Sequence, residues 1–222
     1  MANGKSGDKG LRAIVIGMIV FVITVTGVFI YFDKKPVTNV AAPASISKED
    51  GSGLVFNPEL TNQIDIWEDF QCPYCKFFET AMGDYLETLV REKQAKVVYH
   101  MASFLGQESV RASNAANCAV EEGRFIEFHQ ALYDVQASEN SGIFSNKNLV
   151  EIGKRLGITS PTFESCVNDN KFGDTVKKVG ESMAKNNVQG TPTVFINGKL
   201  WNRSGSEFVL DEFKAAVEAA KQ

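Results

Sequence analysis

Hydrophobic positions divide the chain into one long apolar segment, a polar stretch and a region in which strand and helix patterns alternate. Residues 13–32 form a run without any charged side chain. At about 1.5 Å per helical residue, this run reaches about 30 Å, the thickness of the hydrocarbon core of a bilayer. The run predicts one transmembrane helix. A cleaved signal peptide is the alternative, although its apolar region usually has only about 7–15 residues.

The segments that flank the apolar run indicate how the chain is oriented. Three basic side chains lie within residues 1–12, and two follow the run directly. This excess of positive charge predicts a cytoplasmic N-terminus. Residues 33–53 contain Pro, Ala, Ser, Gly and charged residues without any period, which is typical of a flexible linker. We therefore expect a folded domain over residues 54–222, held outside the cytoplasm at the cell membrane.

This domain opens with a strand pattern followed by a helix pattern. An apolar run predicts a buried strand over about residues 63–68. Pro73 suits the first turn of a helix, where its missing N–H is not needed, and apolar residues continue at helical spacing over residues 77–89. The segment Cys72-Pro-Tyr-Cys75 therefore lies at a strand-to-helix junction.

A second strand, a helical block and a hairpin complete the pattern. Residues 95–105 predict the strand, and helical periodicity dominates over about residues 108–187. Two short strands are predicted around the turn Asn197-Gly198, followed by a helix over about residues 207–221. This order resembles an α/β thioredoxin fold, in which helices flank a central mixed sheet, interrupted by a helical insertion over about residues 104–188.

Composition limits the classes of function. The chain has 222 residues, 44% of them hydrophobic, which is enough for one well-cored domain besides the N-terminal segments. The formal net charge is only −4, and no long basic block suggests binding to nucleic acid. The even number of cysteines, four, suits an oxidising compartment.

The spacing of Cys72 and Cys75 allows a metal site, a structural disulfide or a redox couple. A metal site would need ligands from a set without a second short-spaced pair: Cys118, Cys166, His100 and His129. A structural disulfide across so short a loop would restrict little unfolded-chain entropy. A cysteine at a helix N-terminus, however, has its thiolate stabilised by the helix dipole. We therefore predict a redox couple, with Cys72 as the nucleophile and Cys75 as the resolving cysteine, and expect no metal and no cofactor.

The segment VQGTPTVFING places Pro192 at the start of a strand, after Gly190 and Thr191. A cis bond before Pro192 would form a loop that faces the redox helix and leaves backbone groups free to pair with an extended substrate. An ordinary trans proline at the start of a strand is equally consistent with the sequence.

Three segments resemble the DsbA-like thiol:disulfide oxidoreductases, particularly the membrane-tethered proteins of actinobacteria and other Gram-positive bacteria. WEDFQCPYCKFFE resembles their active-site segment, RASNAANCAVEEGRFIEFHQALYD their inserted helical domain, and VQGTPTVFINGK their cis-proline loop. The segments occur in the same order, from about Leu54 to the C-terminus. The resemblance implies Cys72 as nucleophile, Cys75 as resolving cysteine, and a substrate-side loop with a cis bond at Thr191-Pro192.

Two positions depart from the pattern of this family. Many relatives carry a buried acid six residues before the first cysteine, where this chain has Ile66, so Glu68 and Asp69 are the candidates for a proton relay. The active-site dipeptide is Pro73-Tyr74 instead of the Pro-His of the best-known oxidase. This difference removes one source of thiolate stabilisation and predicts a less oxidising couple.

The remaining cysteines, Cys118 and Cys166, both lie in the predicted insertion. We expect a structural disulfide between them. Two free buried thiols, or exchange with the active-site pair, are the alternatives. We expect His129 to pack in the core or to form hydrogen bonds.

These observations predict a membrane-tethered enzyme that introduces disulfide bonds into exported proteins. By resemblance, it would act as a monomer on unfolded exported proteins with cysteines and be reoxidised by a membrane partner of the VKOR or DsbB type. A reductase or isomerase would use the same residues at a lower potential. From a different class, a copper chaperone or a non-catalytic client-binding protein would use the same groove.

Overall fold

The computed structural model describes residues 45–46 and 53–221. The predicted cytoplasmic segment 1–12, the transmembrane helix 13–32 and most of the linker 33–53 lie outside the described residues. Within the described part of the chain, no helix combines the length and the apolar character needed to cross a membrane.

The described residues form one six-stranded sheet and seven helices. The strands are β1 (Ser45–Ile46), β2 (Leu54–Phe56), β3 (Gln63–Glu68), β4 (Lys96–Met101), β5 (Thr193–Ile196) and β6 (Lys199–Leu200). The helices are α1 (Pro73–Arg91), α2 (Gln107–Glu121), α3 (Phe125–Asp134), α4 (Asn146–Arg155), α5 (Pro161–Asn168), α6 (Gly173–Lys185) and α7 (Leu210–Ala219).

The sheet is mixed and has the order β1-β2-β4-β3-β5-β6. β3 and β4 are parallel because α1 connects them as a crossover, and all other neighbouring strands are antiparallel. Successive side chains of a strand project to opposite faces, so Ile64, Ile66 and Glu68 share one face of β3. Ile64 and Ile66 pack on the main core that contains the buried residues of α1, whereas Trp67 packs on Val179 of α6.

Helix α1 positions the predicted redox pair. It begins at Pro73, as predicted, and Cys72 is its N-cap residue. Phe78, Met82 and Leu86 follow at helical spacing and are completely buried. Each such side chain contributes on the order of 1.5–3 kcal/mol on burial, which fixes the first turn of α1 against the sheet.

Five helices, α2 to α6, lie between β4 and β5, where the sequence predicts a helical insertion. Ala112, Ala115 and Ala119 are completely buried along α2, which packs on α3, α5 and α6. A disulfide between Cys118 and Cys166 connects α2 to α5, so the expected pair is present.

The predicted elements differ from the observed ones at short strands and at the ends of longer elements. Residues 45–46, assigned to the linker, form β1 and pair with Leu54 and Val55 of β2, which was not predicted. Strands of two or three residues are too short to show a period in sequence and depend on pairing with their neighbours. The last helix begins at Leu210, three residues later than expected, and a break at residues 169–172 within the predicted helical block separates α5 from α6.

Candidate active site

Cys72 and Cys75 lie where β3 meets α1, and their environments differ. The carbonyl oxygen of Cys72 accepts hydrogen bonds from the backbone N–H groups of Cys75 (3.1 Å) and Lys76 (3.2 Å), which starts the helix. Cys72 keeps 7% of its surface exposed, whereas Cys75 is completely buried. Only Cys72 is therefore positioned to meet another protein.

The surroundings of Cys72 favour its thiolate. The pKa of Cys72 is lowered to about 6, mainly by a hydrogen bond from the Cys75 side chain. Burial alone would raise this pKa. The Thr191 side chain and the backbone N–H groups of Cys75 and Tyr74 also lower this pKa. The first turn of α1 contains no acidic residue to oppose the helix dipole. Cys72 is therefore ionised at neutral pH.

Cys75 has the opposite character. Burial raises the pKa of its thiol well above the ordinary value, and hydrogen bonding to Cys72 and the charges of Cys72 and Glu68 add to this effect. One cysteine is thus a stable thiolate near the surface, and the other is an enclosed thiol. This asymmetry fits the nucleophilic and resolving roles predicted for the two positions.

The predicted proline loop faces Cys72. The Thr191-Pro192 peptide bond is cis, as the resemblance implies. Sγ of Cys72 lies 3.3 Å from the Thr191 carbonyl oxygen, which accepts a hydrogen bond from Cys72 when the sulfur is protonated. Gly190 supports the loop because its carbonyl oxygen accepts a hydrogen bond from the Thr193 hydroxyl (2.7 Å). From Pro192, a groove continues between β5 and the segment 200–208.

Of the two candidate proton relays, Asp69 is engaged in holding the active-site turn. Its carboxylate accepts hydrogen bonds from the Ser109 hydroxyl (2.6 Å) and from the backbone N–H groups of Gln71 (2.8 Å), Phe104 (3.0 Å) and Leu105 (3.2 Å). Burial raises the pKa of Asp69, while these hydrogen bonds oppose the increase. Asp69 therefore connects β3 to the start of α2.

Glu68, the other candidate, lies among titratable side chains. It is completely buried and forms a short hydrogen bond with Nε2 of His129 on α3. Nδ1 of His129 lies 3.9 Å from Oε2 of Glu79 on α1. Burial raises the pKa of Glu68 to about 8, and burial together with the charge of Glu68 raises the pKa of Glu79 to about 8. Burial also lowers the pKa of His129, so the imidazole is neutral.

These three side chains are also of the types that bind metal ions. One ligand atom from each of Glu68, Glu79 and His129 lies within 4.8 Å of the others. The imidazole, however, turns its two nitrogens toward different carboxyl groups, with Nε2 hydrogen-bonded to Glu68 and Nδ1 3.9 Å from Glu79. This geometry differs from three ligands that converge on one ion, for which a histidine offers a single nitrogen.

Two further residues of the site, Gln136 and Glu79, were not predicted from the sequence. Gln136 follows α3, and its side-chain amide donates hydrogen bonds to the carbonyl oxygens of Phe70 (2.7 Å) and Cys72 (3.1 Å). Glu79 has the spacing of an ordinary core-facing position of α1. Glu79 ends the segment WEDFQCPYCKFFE, and Gln136 lies two residues beyond the quoted helical segment. Neither residue shows its role in the sequence, because each acquires it from a contact with a distant part of the chain.

Comparison with known proteins identifies the family of this domain. The family model described as Thioredoxin matches residues 55–219. Disulfide bond formation protein D of Bacillus anthracis is 24% identical over 226 residues, which cover 96% of this chain and 97% of that protein. A Rickettsia typhi protein named as a protein-disulfide oxidoreductase is 26% identical over 180 residues, covering 78% of this chain. The chain spans 63% of the length of that relative.

Solved structures that resemble this chain support the same family assignment as the sequence relatives. The oxidised form of DsbA from Mycobacterium tuberculosis superposes with a TM-score of 0.61 and 29% sequence identity. The superposition covers 72% of this chain and 83% of that structure.

Proposed function

The chain belongs to the thioredoxin family as one of its DsbA-like proteins, and we propose that it introduces disulfide bonds into exported proteins as a thiol:disulfide oxidoreductase. One observation supports this proposal above all. Cys72, with a pKa lowered to about 6, lies at the start of α1 against the carbonyl oxygen of Thr191, while Cys75 is enclosed behind it.

The reaction is dithiol-disulfide exchange. A substrate thiolate attacks Sγ of Cys72 in the oxidised enzyme, a new S–S bond forms, and the Cys72–Cys75 bond breaks with its electron pair going to Cys75. A second substrate thiolate then attacks the substrate sulfur of the mixed disulfide and releases Cys72 as a thiolate. The substrate loses two electrons, and the enzyme pair gains them.

The stabilised thiolate of Cys72 supports oxidation of the substrate as the direction of the reaction. A thiol with a lowered pKa is a good leaving group, and stabilisation of the reduced enzyme makes its disulfide a stronger oxidant. Hydrogen bonds from the Cys75 side chain and from the backbone N–H groups of Cys75 and Tyr74 contribute to this stabilisation. The Tyr74 side chain is exposed and is not among the groups that lower this pKa.

The surface around Cys72 suits unfolded proteins as substrates. Tyr74 and Phe77, in the first two turns of α1, are each 60% exposed, and their rings contact each other edge to face. Exposed apolar side chains beside a reactive group are typical of a surface that binds another protein. The loop at Thr191-Pro192 would align an extended substrate chain next to Cys72.

We place this activity on the outer side of the cell membrane, with residues 13–32 as the anchor and residues 1–12 in the cytoplasm. The substrates are exported proteins with free cysteines. A membrane protein of the VKOR or DsbB type would accept electrons from the reduced Cys72–Cys75 pair. These assignments are supported by the apolar segment, by the distribution of basic residues and by the resemblance to tethered DsbA-like proteins.

The test is the reduction potential of the Cys72–Cys75 pair in the full chain, purified in detergent and equilibrated with glutathione. We expect a value of about −120 to −180 mV, and a value of about −270 mV would instead indicate a reductase. Cys72→Ser should lose the oxidation of a reduced, unfolded substrate protein. A matched variant, Cys118→Ala/Cys166→Ala, removes the other pair and should keep this activity. Full activity of Cys72→Ser would contradict the proposal.

A further inference from the structure

The carbonyl group of Cys72 receives a hydrogen bond from outside its own helix. Its oxygen accepts from the backbone N–H groups of Cys75 and Lys76, which begin α1, and also from the side-chain amide of Gln136 (3.1 Å). Gln136 lies 64 positions further along the chain, after the end of α3. The same amide donates to the carbonyl oxygen of Phe70 (2.7 Å). One side chain of the helical insertion therefore binds the backbone of the redox turn at two points.

Gln136 is itself held from two directions. Its backbone N–H donates to the carbonyl oxygen of Tyr133 (3.2 Å), which continues the last turn of α3. The ammonium group of Lys76 on α1 donates to the carbonyl oxygens of Asp134 (3.3 Å) and Gln136 (3.4 Å), at a helix end where positive charge is favoured. The amide of Gln136 therefore reaches the redox turn from a fixed position.

The bond to Phe70 continues into the network that holds the turn. The carbonyl group of Phe70 shares its peptide unit with the N–H of Gln71, which donates to the Asp69 carboxylate (2.8 Å). A donor on the carbonyl side of a peptide unit strengthens the bond that its N–H forms, because hydrogen bonds in a chain polarise one another. The backbone N–H of Cys72 also donates to the carbonyl oxygen of Asp69 (2.9 Å). Gln136 thus supports the turn that presents Cys72.

We propose that Gln136 is a positioning residue of the exchange reaction, which favours the thiolate form of Cys72 through its hydrogen bonds to the carbonyl oxygens of Phe70 and Cys72. This inference rests on the proposed function. In the exchange, the second substrate thiolate attacks the substrate sulfur of the mixed disulfide and bonds to it. The bond from that sulfur to Cys72 breaks, and its electron pair goes to Cys72. Negative charge therefore develops on Cys72 in this step and remains in the reduced enzyme.

Two effects of the amide act in the same direction. The carbonyl oxygen of Cys72 carries partial negative charge in the residue that bears the thiolate, and a donor to this oxygen reduces its opposition to ionisation of the sulfur. The two bonds also hold the N-cap conformation of Cys72, in which the backbone N–H groups of Tyr74 and Cys75 stabilise the thiolate. In the disulfide form the sulfur is uncharged, so Gln136 stabilises the reduced pair more than the oxidised pair.

The test is the equilibrium of the Cys72–Cys75 pair with glutathione in the full-length protein, purified in detergent. A substitution that weakens the fold equally in both redox states leaves this equilibrium unchanged, whereas one that acts on the thiolate shifts it. Gln136→Met keeps the length of the side chain but removes both N–H groups. We expect it to shift the equilibrium toward the disulfide form by at least about threefold. The pH midpoint for alkylation of Cys72 by iodoacetamide should rise above about 6 in the same variant.

Further variants separate hydrogen-bond donation from packing. Gln136→Asn keeps an amide but shortens the side chain by one methylene, so it should lose the two contacts and shift the equilibrium in the same direction as Gln136→Met. Gln136→Lys retains N–H donors on a long side chain and should keep the natural equilibrium or move it toward the dithiol form. Gln130→Met is the matched control, because it removes an amide of α3 that donates to Glu87 instead. It should leave both measurements unchanged.

Thermal unfolding of each variant shows what the substitution does to the fold. If Gln136→Met loses thermal stability while its equilibrium with glutathione is unchanged, Gln136 only stabilises the fold and the inference is wrong. Equal shifts in Gln136→Met and Gln136→Lys would also overturn it, because packing would then be the cause. Should Gln136→Met not fold, Gln136→Asn measures the same loss of donors. A natural protein that does not oxidise a reduced, unfolded substrate would instead contradict the proposed function, and the shifts between variants would still test Gln136.

Discussion

At the scale of residues, the active site depends on the difference between two cysteines three positions apart. Cys72 caps α1 and has a lowered pKa, whereas Cys75 is one turn further along and has a raised pKa. The hydrogen bond between the two side chains contributes to both shifts, because it stabilises the Cys72 thiolate and requires Cys75 to keep its proton. The nucleophilic character of Cys72 and the resolving character of Cys75 therefore depend on the same hydrogen bond.

This dependence predicts how Cys72 responds to changes at position 75. Cys75→Ala removes the main donor to the Cys72 thiolate, so the pKa of Cys72 should rise above its value of about 6 in the natural protein. Cys75→Ser retains a donor and should give a midpoint below that of Cys75→Ala. The measurement is the pH dependence of alkylation by iodoacetamide. Equal midpoints in the two variants would show that Cys75 does not stabilise the thiolate.

At the scale of elements, the turn from β3 to α1 is held by the helical insertion. Asp69 accepts hydrogen bonds from the start of α2 and from the loop before it, and Gln136 donates to the turn from the segment after α3. Lys76 of α1 reaches the carbonyl oxygens of Asp134 and Gln136. The insertion thus supports the redox turn directly.

This arrangement predicts a structural role for Asp69, distinct from proton transfer. Asp69→Asn replaces one accepting oxygen with an N–H donor, so it should lower the free energy of unfolding by about 1–3 kcal/mol. Urea denaturation measures this loss. Asp84→Asn, at an exposed position of α1, is the matched control and should change stability by less than about 0.5 kcal/mol. If Asp69→Asn were as stable as the control, the four hydrogen bonds would not hold the turn.

At the scale of the whole molecule, the four cysteines are divided between two tasks. Cys72 and Cys75 are free thiols at the start of α1, whereas Cys118 and Cys166 form a disulfide that connects two helices of the insertion. Both members of the second pair are buried. Chemistry and cross-linking are therefore assigned to separate parts of the fold.

The second pair is expected to contribute to stability. Cys118 and Cys166 are 48 positions apart. In the chain-entropy model, a disulfide that closes a loop of this length stabilises the folded protein by about 4 kcal/mol, because it restricts the unfolded chain. Cys118→Ala/Cys166→Ala should lower the urea midpoint accordingly while the Cys72–Cys75 pair keeps its reduction potential. A changed potential with unchanged stability would instead indicate that the two pairs exchange electrons.

The predictable part of the fold follows from local patterns. The strand before Cys72, the helix that begins at Pro73 and the hairpin at Asn197-Gly198 were all recognised, because each depends on residues close together in sequence. β1 and β2 were missed because such short strands depend on pairing with neighbours. The transmembrane helix over residues 13–32 stays a prediction from hydrophobicity and length.

The sequence by itself determined the redox motif, the order of the longer elements and the family resemblance, since these are encoded in contiguous segments. Only the tertiary structure showed that Glu68 meets His129, which is 61 positions away, and that Cys72 meets Thr191 across 119 positions. Both contacts depend on which elements pack together, and local sequence contains little information about distant partners. For the same physical reason, only the folded chain distinguished Asp69, whose carboxylate holds a turn, from Glu68, whose buried carboxyl group faces titratable partners.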